Sequence, residues 1–296
     1  MNPTVNPTLT EAYTACEEIT RDQARNFHYG IRLLPPDKRA VLCAVYALAR
    51  RIDDIGDGDL PAAEKAARLA AVRAAVDQLT AGRDLADPVL LALSDAARRY
   101  PIPLDAFGEL VDGVEKDVAM DTAGLRYATF TDLVGYCRCV AGSVGRLCLG
   151  VFGSRPDPRA PGYADQLGIG LQQTNVLRDV REDLLNGRVY LPQEDLDRFG
   201  VDLRLDESGE LVDDDGALSA LIRSACRRAT TWYDDGLRLV PLLDRRSAAC
   251  CLAMSGIYRR LTERIAAQPE SVFDRRLALS GREKALVAGR ALVGRT

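Results

Sequence analysis

Two stretches of this chain place charge on helices that otherwise read as buried, and any fold must find a partner for both. In Gly168–Pro192, GIGLQQTNVLRDVREDLLNGRVYLP, the residues Gln172, Asn175, Asp179 and Asp183 follow one another at spacings of 3, 4 and 4. On a helix turning about 100° per residue they project within roughly 80° of one another. Leu167, Leu171, Val176 and Val180 give that helix other surfaces to bury, so the polar stripe is not simply its wet side. In KRAVLCAVYALARRIDDIGD, Tyr46, Arg50, Asp53 and Asp57 recur at spacings of 4, 3 and 4. These share a face within about 60°.

The segments around them are rich in Ala, Leu, Arg and Glu and carry almost no period-2 signal, so an all-α fold is expected. Helices are expected over 11–29, 38–56, 61–81, 87–99, 103–119, 129–152, 217–246, 247–267 and 281–294, besides the stretch at 168–192. Pro36 suits the first turn of the second of these, and Asp57 falls near its C-terminal end, where the helix dipole disfavours a negative charge unless a cation is present. With no Pro/Gly/Ser-rich linker near the middle, residues 11–296 are expected to form one domain, a helical bundle around a central cavity. Residues 1–10 are expected to be a disordered tail. The acidic run 201–216 reads as an exposed loop.

Composition removes several classes of function. A net charge of −4 and the lack of a basic run with interleaved aromatics argue against nucleic acid as a partner. The single histidine, His28, leaves almost no room for Ser-His or Cys-His chemistry. It also excludes a di-iron bundle built on paired Glu-x-x-His motifs. The eight cysteines lack CxxC spacing and read as buried reduced thiols. No segment reaches the roughly 18–20 apolar residues that span a bilayer, and no signal peptide is evident, so a cytoplasmic location is expected.

One DxxxD is usually a solvated face or an ion-pair partner. Two of them on apolar helices imply four acids brought together, whose mutual repulsion a hard, oxygen-seeking cation such as Mg²⁺ would resolve. Mg²⁺ takes one or two carboxylates and completes its shell with water or phosphate oxygens. Arg50 and Arg178 lie beside the acids and suit bidentate contact with a phosphate. The pattern points to a metal-held diphosphate whose departure leaves a carbocation. Ala141, Gly142, Ser143 and Gly145 cluster in YCRCVAGSVG, and two readings of them stay open: close helix packing, or the wall of a pocket for a long apolar ligand.

On these residues, YALARRIDDIGD, YCRCVAGSVG and LGIGLQQTNVLRDVREDLLNGRVYLP, in that order, the chain resembles the squalene/phytoene synthase family over roughly Ala24–Tyr258. The resemblance implies the isoprenoid synthase fold, with Asp53, Asp57, Asn175, Asp179 and Asp183 holding two or three Mg²⁺ ions. It implies that Tyr46, Arg50, Gln172, Arg178 and Arg188 contact diphosphate or the reacting carbons, and that Tyr136 and Tyr258 lie near the reaction centre. Arg25 and Asn26, in ARNFHYGIRLLP, match the family's N-terminal substrate segment, where this chain has Gln23 and Ala24 in place of a His-Ser type pair.

The reaction implied is head-to-head condensation of two prenyl diphosphates through a cyclopropyl diphosphate. The opening segment and DGDLP look most like synthases that join two farnesyl diphosphates to presqualene diphosphate in the squalene or hopanoid pathway, without NADPH. The alternatives are a phytoene synthase acting on two geranylgeranyl diphosphates, and a full squalene synthase using NADPH. Peripheral membrane contact would suit such lipids; the oligomeric state is not fixed by the sequence. A silent lipid-binding relative would have no need of all the acids and both arginines.

Overall fold

The computed structural model describes residues 7–24, 27–79 and 86–294. Fourteen α-helices are found among them: α1 (Leu9–Gln23), α2 (Phe27–Ile31), α3 (Pro36–Asp57), α4 (Ala62–Asp77), α5 (Pro88–Arg99), α6 (Asp105–Ala123), α7 (Phe130–Cys137), α8 (Ser143–Phe152), α9 (Ala160–Arg178), α10 (Val180–Leu185), α11 (Gln193–Phe199), α12 (Ala217–Gly236), α13 (Arg245–Ala267) and α14 (Gly281–Leu292). The described residues contain no strand, only an isolated bridge between Leu205 and Leu211, so the fold is all-α as expected. Among the described residues no helix is long and apolar enough to cross a membrane.

Local chemistry explains where these helices start. Thr8 closes a capping box with Glu11, so α1 begins at Leu9, inside the segment 1–10 expected to be a tail. Pro36 opens α3, and Gly58 ends it immediately after Asp57. Thr129 with Asp132 and Ser280 with Glu283 box the starts of α7 and α14, while Asp244 caps α13. The long helix expected over 217–246 is cut at Gly236. A 3₁₀ segment with Pro241 follows, because proline has no N–H to continue the α ladder.

α9 is the centre of the bundle, packed against α12, α8 and α13, and buried on almost every side. Thr174 ties it to two of these neighbours through Tyr233 Oη and Thr262 Oγ1, each 2.7 Å away. α3 packs on α1, α5, α6 and α8, and faces α9 across a cavity. Between α7 and α8 the chain forms a π turn at Arg138–Gly142. There a Cβ added to Gly168 would collide with the Ala141 carbonyl, and one added to Gly145 with the Ala164 carbonyl. The small residues therefore let α8 and α9 touch backbone to backbone. Ala141, Val144 and Gly145 also line the cavity, so the segment both packs closely and forms part of a cavity wall.

The acidic loop is more than a solvated link. Gly209 accepts from Arg181 Nε at 2.6 Å, Leu211 is buried, and Asp213 caps the first turn of α12. All eight cysteines are free thiols, seven buried and Cys139 half-buried.

Candidate active site

α3, α8, α9 and α13 enclose an apolar cavity of about 1180 Å³, its open mouth included, floored by residues such as Leu42, Cys148, Phe152 and Leu239. A second, polar cavity of about 850 Å³, again counting its mouth, opens between the C-terminal half of α3, α6, and the α9–α10 junction. Arg50, Asp53, Val140, Gln172 and Asn175 line both. The two form one cleft with a charged head and an oily tail, the shape of an amphiphile.

The head gathers most of the residues expected from sequence. Asp53, Asp57, Arg50, Tyr136, Gln172, Asn175, Arg178, Asp179, Asp183 and Arg188 all line it, and Tyr46 lines the apolar side of the seam. Tyr258 is buried in the wall behind, stacked on Phe27 with ring centroids 5.8 Å apart. Arg25 and Asn26 lie outside the described residues. The continuous stripe expected from Gln172 to Asp183 is broken, because α9 ends at Arg178 and Asp179 (φ −106°) turns the chain into α10.

The acids divide into paired and unpaired. Asp179 is held by Arg178 through Nε at 2.7 Å and Nη2 at 2.5 Å, and by Arg276 Nε at 2.9 Å. Asp57 lies 3.4 Å from Arg188 Nη1. Among the described residues Asp53 and Asp183 have no such partner. Burial, aided by the charge of Asp57, pushes the Asp53 carboxyl up to about 7, and burial with the charge of Asp179 pushes Asp183 up to about 8. Arg50 pairs instead with its outward neighbour Asp54. Burial raises the Tyr46 phenol to about 12, so it stays protonated.

The donor set suits a hard cation. Asn175 Nδ2 donates to Gln172 Oε1 at 3.1 Å, while its Oδ1 is buried with no hydrogen-bond partner among the described residues, an acceptor left open. Asp53 and Asp183 are carboxylates whose ionised form burial disfavours and a bound cation would favour. Among the described residues no three His, Cys, Asp or Glu side chains converge tightly enough to cage an ion by themselves. Oxygen donors spread over two facing helices fit an ion whose shell is completed by a phosphate.

Three residues that line the head, Arg276, Asp117 and Tyr190, and Asp121 beside it, escaped the sequence reading. Arg276, on the segment after α13, reaches Asp179 from far along the chain, and no local pattern announces it. Asp117 and Asp121 stand on α6 at the DxxxD spacing that marked the other two segments, so a signal for them did exist. Asp117 accepts hydrogen bonds from Tyr136 Oη (3.2 Å) and Tyr190 Oη (2.8 Å), and burial lifts it to about 6. Tyr190 sits within GRVYLP, beside Arg188.

An all-α bundle with a diphosphate-sized polar head over an apolar cavity is the architecture of isoprenoid synthases, and comparison with known proteins narrows the class. The squalene/phytoene synthase family profile matches residues 20–283, and the chain belongs to that family, whose members are prenyltransferases joining prenyl diphosphates head to head. A phytoene synthase of Mycobacterium tuberculosis is 56% identical over 96% of this chain and 91% of its own length. A 15-cis-phytoene synthase of Synechococcus elongatus is 33% identical over 90% of this chain and 88% of its own. Among solved structures, a dehydrosqualene synthase superposes with a TM-score of 0.84 at 28% identity, covering 97% of each chain. A squalene synthase from Alicyclobacillus acidocaldarius gives 0.77 at 28% identity, over 90% of this chain and 97% of its own.

Proposed function

We propose that the protein condenses two molecules of geranylgeranyl diphosphate head to head, through a cyclopropyl diphosphate, to phytoene. The observation that carries this choice of substrate is the 56% identity, over nearly the full chain, to mycobacterial proteins named phytoene synthase. Those relatives favour the C20 alternative over the farnesyl-based presqualene reading drawn from the opening segment. The overall balance is two substrates losing two diphosphates and two protons, so no reductant enters and NADPH is not required.

The residues supply the rest of the mechanism. Asp53, Asp57, Asn175, Asp179 and Asp183 would hold magnesium ions shared with the diphosphate. Bound there, the metal would neutralise charge developing on the leaving group. Arg50, Arg178, Arg188 and Arg276 border the same head and offer forked donors to phosphate oxygens. Gln172 and Tyr46, at the seam, face the place where an allylic carbon would lie once its diphosphate sits in the head. The apolar walls keep water from the cation, which would otherwise be quenched to an alcohol. Contact with a membrane surface, where a C40 hydrocarbon would be delivered, belongs to the same proposal.

The test is incubation of the purified protein with Mg²⁺ and either geranylgeranyl or farnesyl diphosphate, without NADPH, followed by product identification. A C40 hydrocarbon from the first substrate is expected. A C30 product formed more efficiently from the second would restore the farnesyl reading, and turnover of neither would overturn the proposal.

A further inference from the structure

Asp117 and Asp121 stand one turn apart on α6, the same spacing as Asp53/Asp57 and Asp179/Asp183, yet their oxygens are already engaged. Asp117 Oδ2 accepts from Tyr136 and Oδ1 from Tyr190. Arg188 grips Asp121 fork to fork, Nε to Oδ1 at 2.6 Å and Nη2 to Oδ2 at 2.8 Å, with Lys65 Nζ 3.8 Å away. The Tyr136 and Tyr190 rings lie against each other, centroids 5.3 Å apart, and both line the polar head.

A phenol has one hydrogen to give. Once Tyr136 and Tyr190 have spent theirs on Asp117, their oxygens present only lone pairs to the cleft. Arg188 with two nitrogens fixed on Asp121 is likewise aimed, and its remaining Nη1 points to Asp57 at 3.4 Å. We propose that this third acidic pair is a positioning device rather than a cation site. Asp117 turns the Tyr136 oxygen toward the carbocation as an acceptor, and Asp121 holds Arg188 toward the diphosphate.

The assignment rests on the head-to-head condensation proposed above. When the cyclopropane closes, the electron pair of a C–H bond becomes the new C–C bond and the proton moves to Tyr136 Oη. The hydrogen that Tyr136 already shares with Asp117 passes to Oδ2, leaving the phenol neutral and the carboxyl protonated.

The pair is tested by splitting it. In Asp117→Asn the amide must donate to one phenol, which then turns its hydrogen into the cleft. The expected result is kcat lowered about 10²–10³-fold, the scale of a lost proton acceptor, with KM nearly unchanged. Asp121→Asn should instead raise KM about tenfold, as one charged fork is lost, with kcat little changed. Mn²⁺ binding without substrate, followed by electron paramagnetic resonance, should match wild type in both variants. Tyr136→Phe should copy the kcat loss of Asp117→Asn, and the double variant should lose little more, because the two act as one unit. Should Asp117→Asn fail to fold, a kcat in Tyr136→Phe equal to wild type would by itself overturn the assignment. Weakened Mn²⁺ binding in both Asp variants would mean a ligand set instead. A fall of kcat and KM together with a lower melting temperature would mean a structural network. If wild type turns over neither prenyl diphosphate, the parent reading has failed; normal kcat for Asp117→Asn in an active enzyme defeats only this inference.

Discussion

The two acidic segments share a spacing and little else. On α3 the helix runs unbroken to Asp57 at its exposed end, and Arg50 turns outward to Asp54. On α9 the helix breaks at Asp179, where Arg178 and Arg276 clamp the carboxylate from two sides, and Asp183 sits on the short α10 beyond. Each segment nevertheless ends with the same division among the described residues: one acid facing an arginine, Asp57 or Asp179, and one without, Asp53 or Asp183. The unpartnered acids are the ones whose ionisation costs most and which a cation would relieve most. A repeated motif thus sets up, through different local structure, one open carboxylate on each side of the cleft.

The largest effects expected are at those open acids. Asp53→Asn and Asp183→Asn should each lower kcat/KM by about 10²–10³-fold or more, as loss of a preorganised charge in a desolvated site does. Both should also weaken Mn²⁺ binding. Asp54→Asn and Glu182→Gln, the outward neighbours, should stay within about tenfold of wild type, since exposed pairs contribute little. Equal losses at inner and outer acids would break the division.

Next in size is the contrast between the two arginines. Arg178 and Asp179 are 7% and 17% exposed, whereas Arg50 and Asp54 are 36% and 47% exposed. Arg178→Ala should cost about 3 kcal/mol, the low end for breaking a buried pair, because Arg276 still reaches Asp179. Arg50→Ala should cost about 0–1 kcal/mol. Denaturant melts in the absence of metal would show it, and equal costs would mean that the break at Asp179 adds no burial to its pair.

Much of this was legible before the structure, for particular reasons. Tyr46 to Asp57 was readable because the helix is regular there, so spacing converts directly into direction. Gln172 to Asp183 was only half readable: no Gly or Pro marks the turn at Asp179, where the neighbouring Arg178 and the distant Arg276 hold the carboxylate. Arg276 lies on an aperiodic segment and could not be aimed from sequence. Asp117 and Asp121 carried the right spacing but passed as an ordinary amphipathic helix, since nothing local shows that Tyr136 and Tyr190 come to meet them. The cut in 217–246 was visible in Pro241 and was missed. Substrate length stayed open because the floor of the cavity is assembled from α3, α8 and the 3₁₀ segment, far apart in the chain.

The smallest effect is on the pH dependence of stability in the metal-free protein, and its sign follows from the unpaired acids. Asp53 at about 7, Asp117 at about 6 and Asp183 at about 8 all lie above the unfolded value of about 4. Between those limits the folded state holds more protons than the unfolded one, so these groups make stability fall as pH rises from about 5 to about 8. Asp121, lowered by its hydrogen bond with Arg188, acts the other way, and its contribution is lost only as pH falls below about 4. The melting temperature should therefore peak near pH 5 and decline toward pH 8. In Asp53→Asn/Asp183→Asn the decline should shrink, since the groups that cause most of it are gone. Mg²⁺ with inorganic diphosphate should raise the wild-type melting temperature more at pH 8 than at pH 6, because at pH 8 the carboxylates have fewer protons to surrender on binding it. A decline that persists unchanged in the double variant would place its cause outside the two acidic segments.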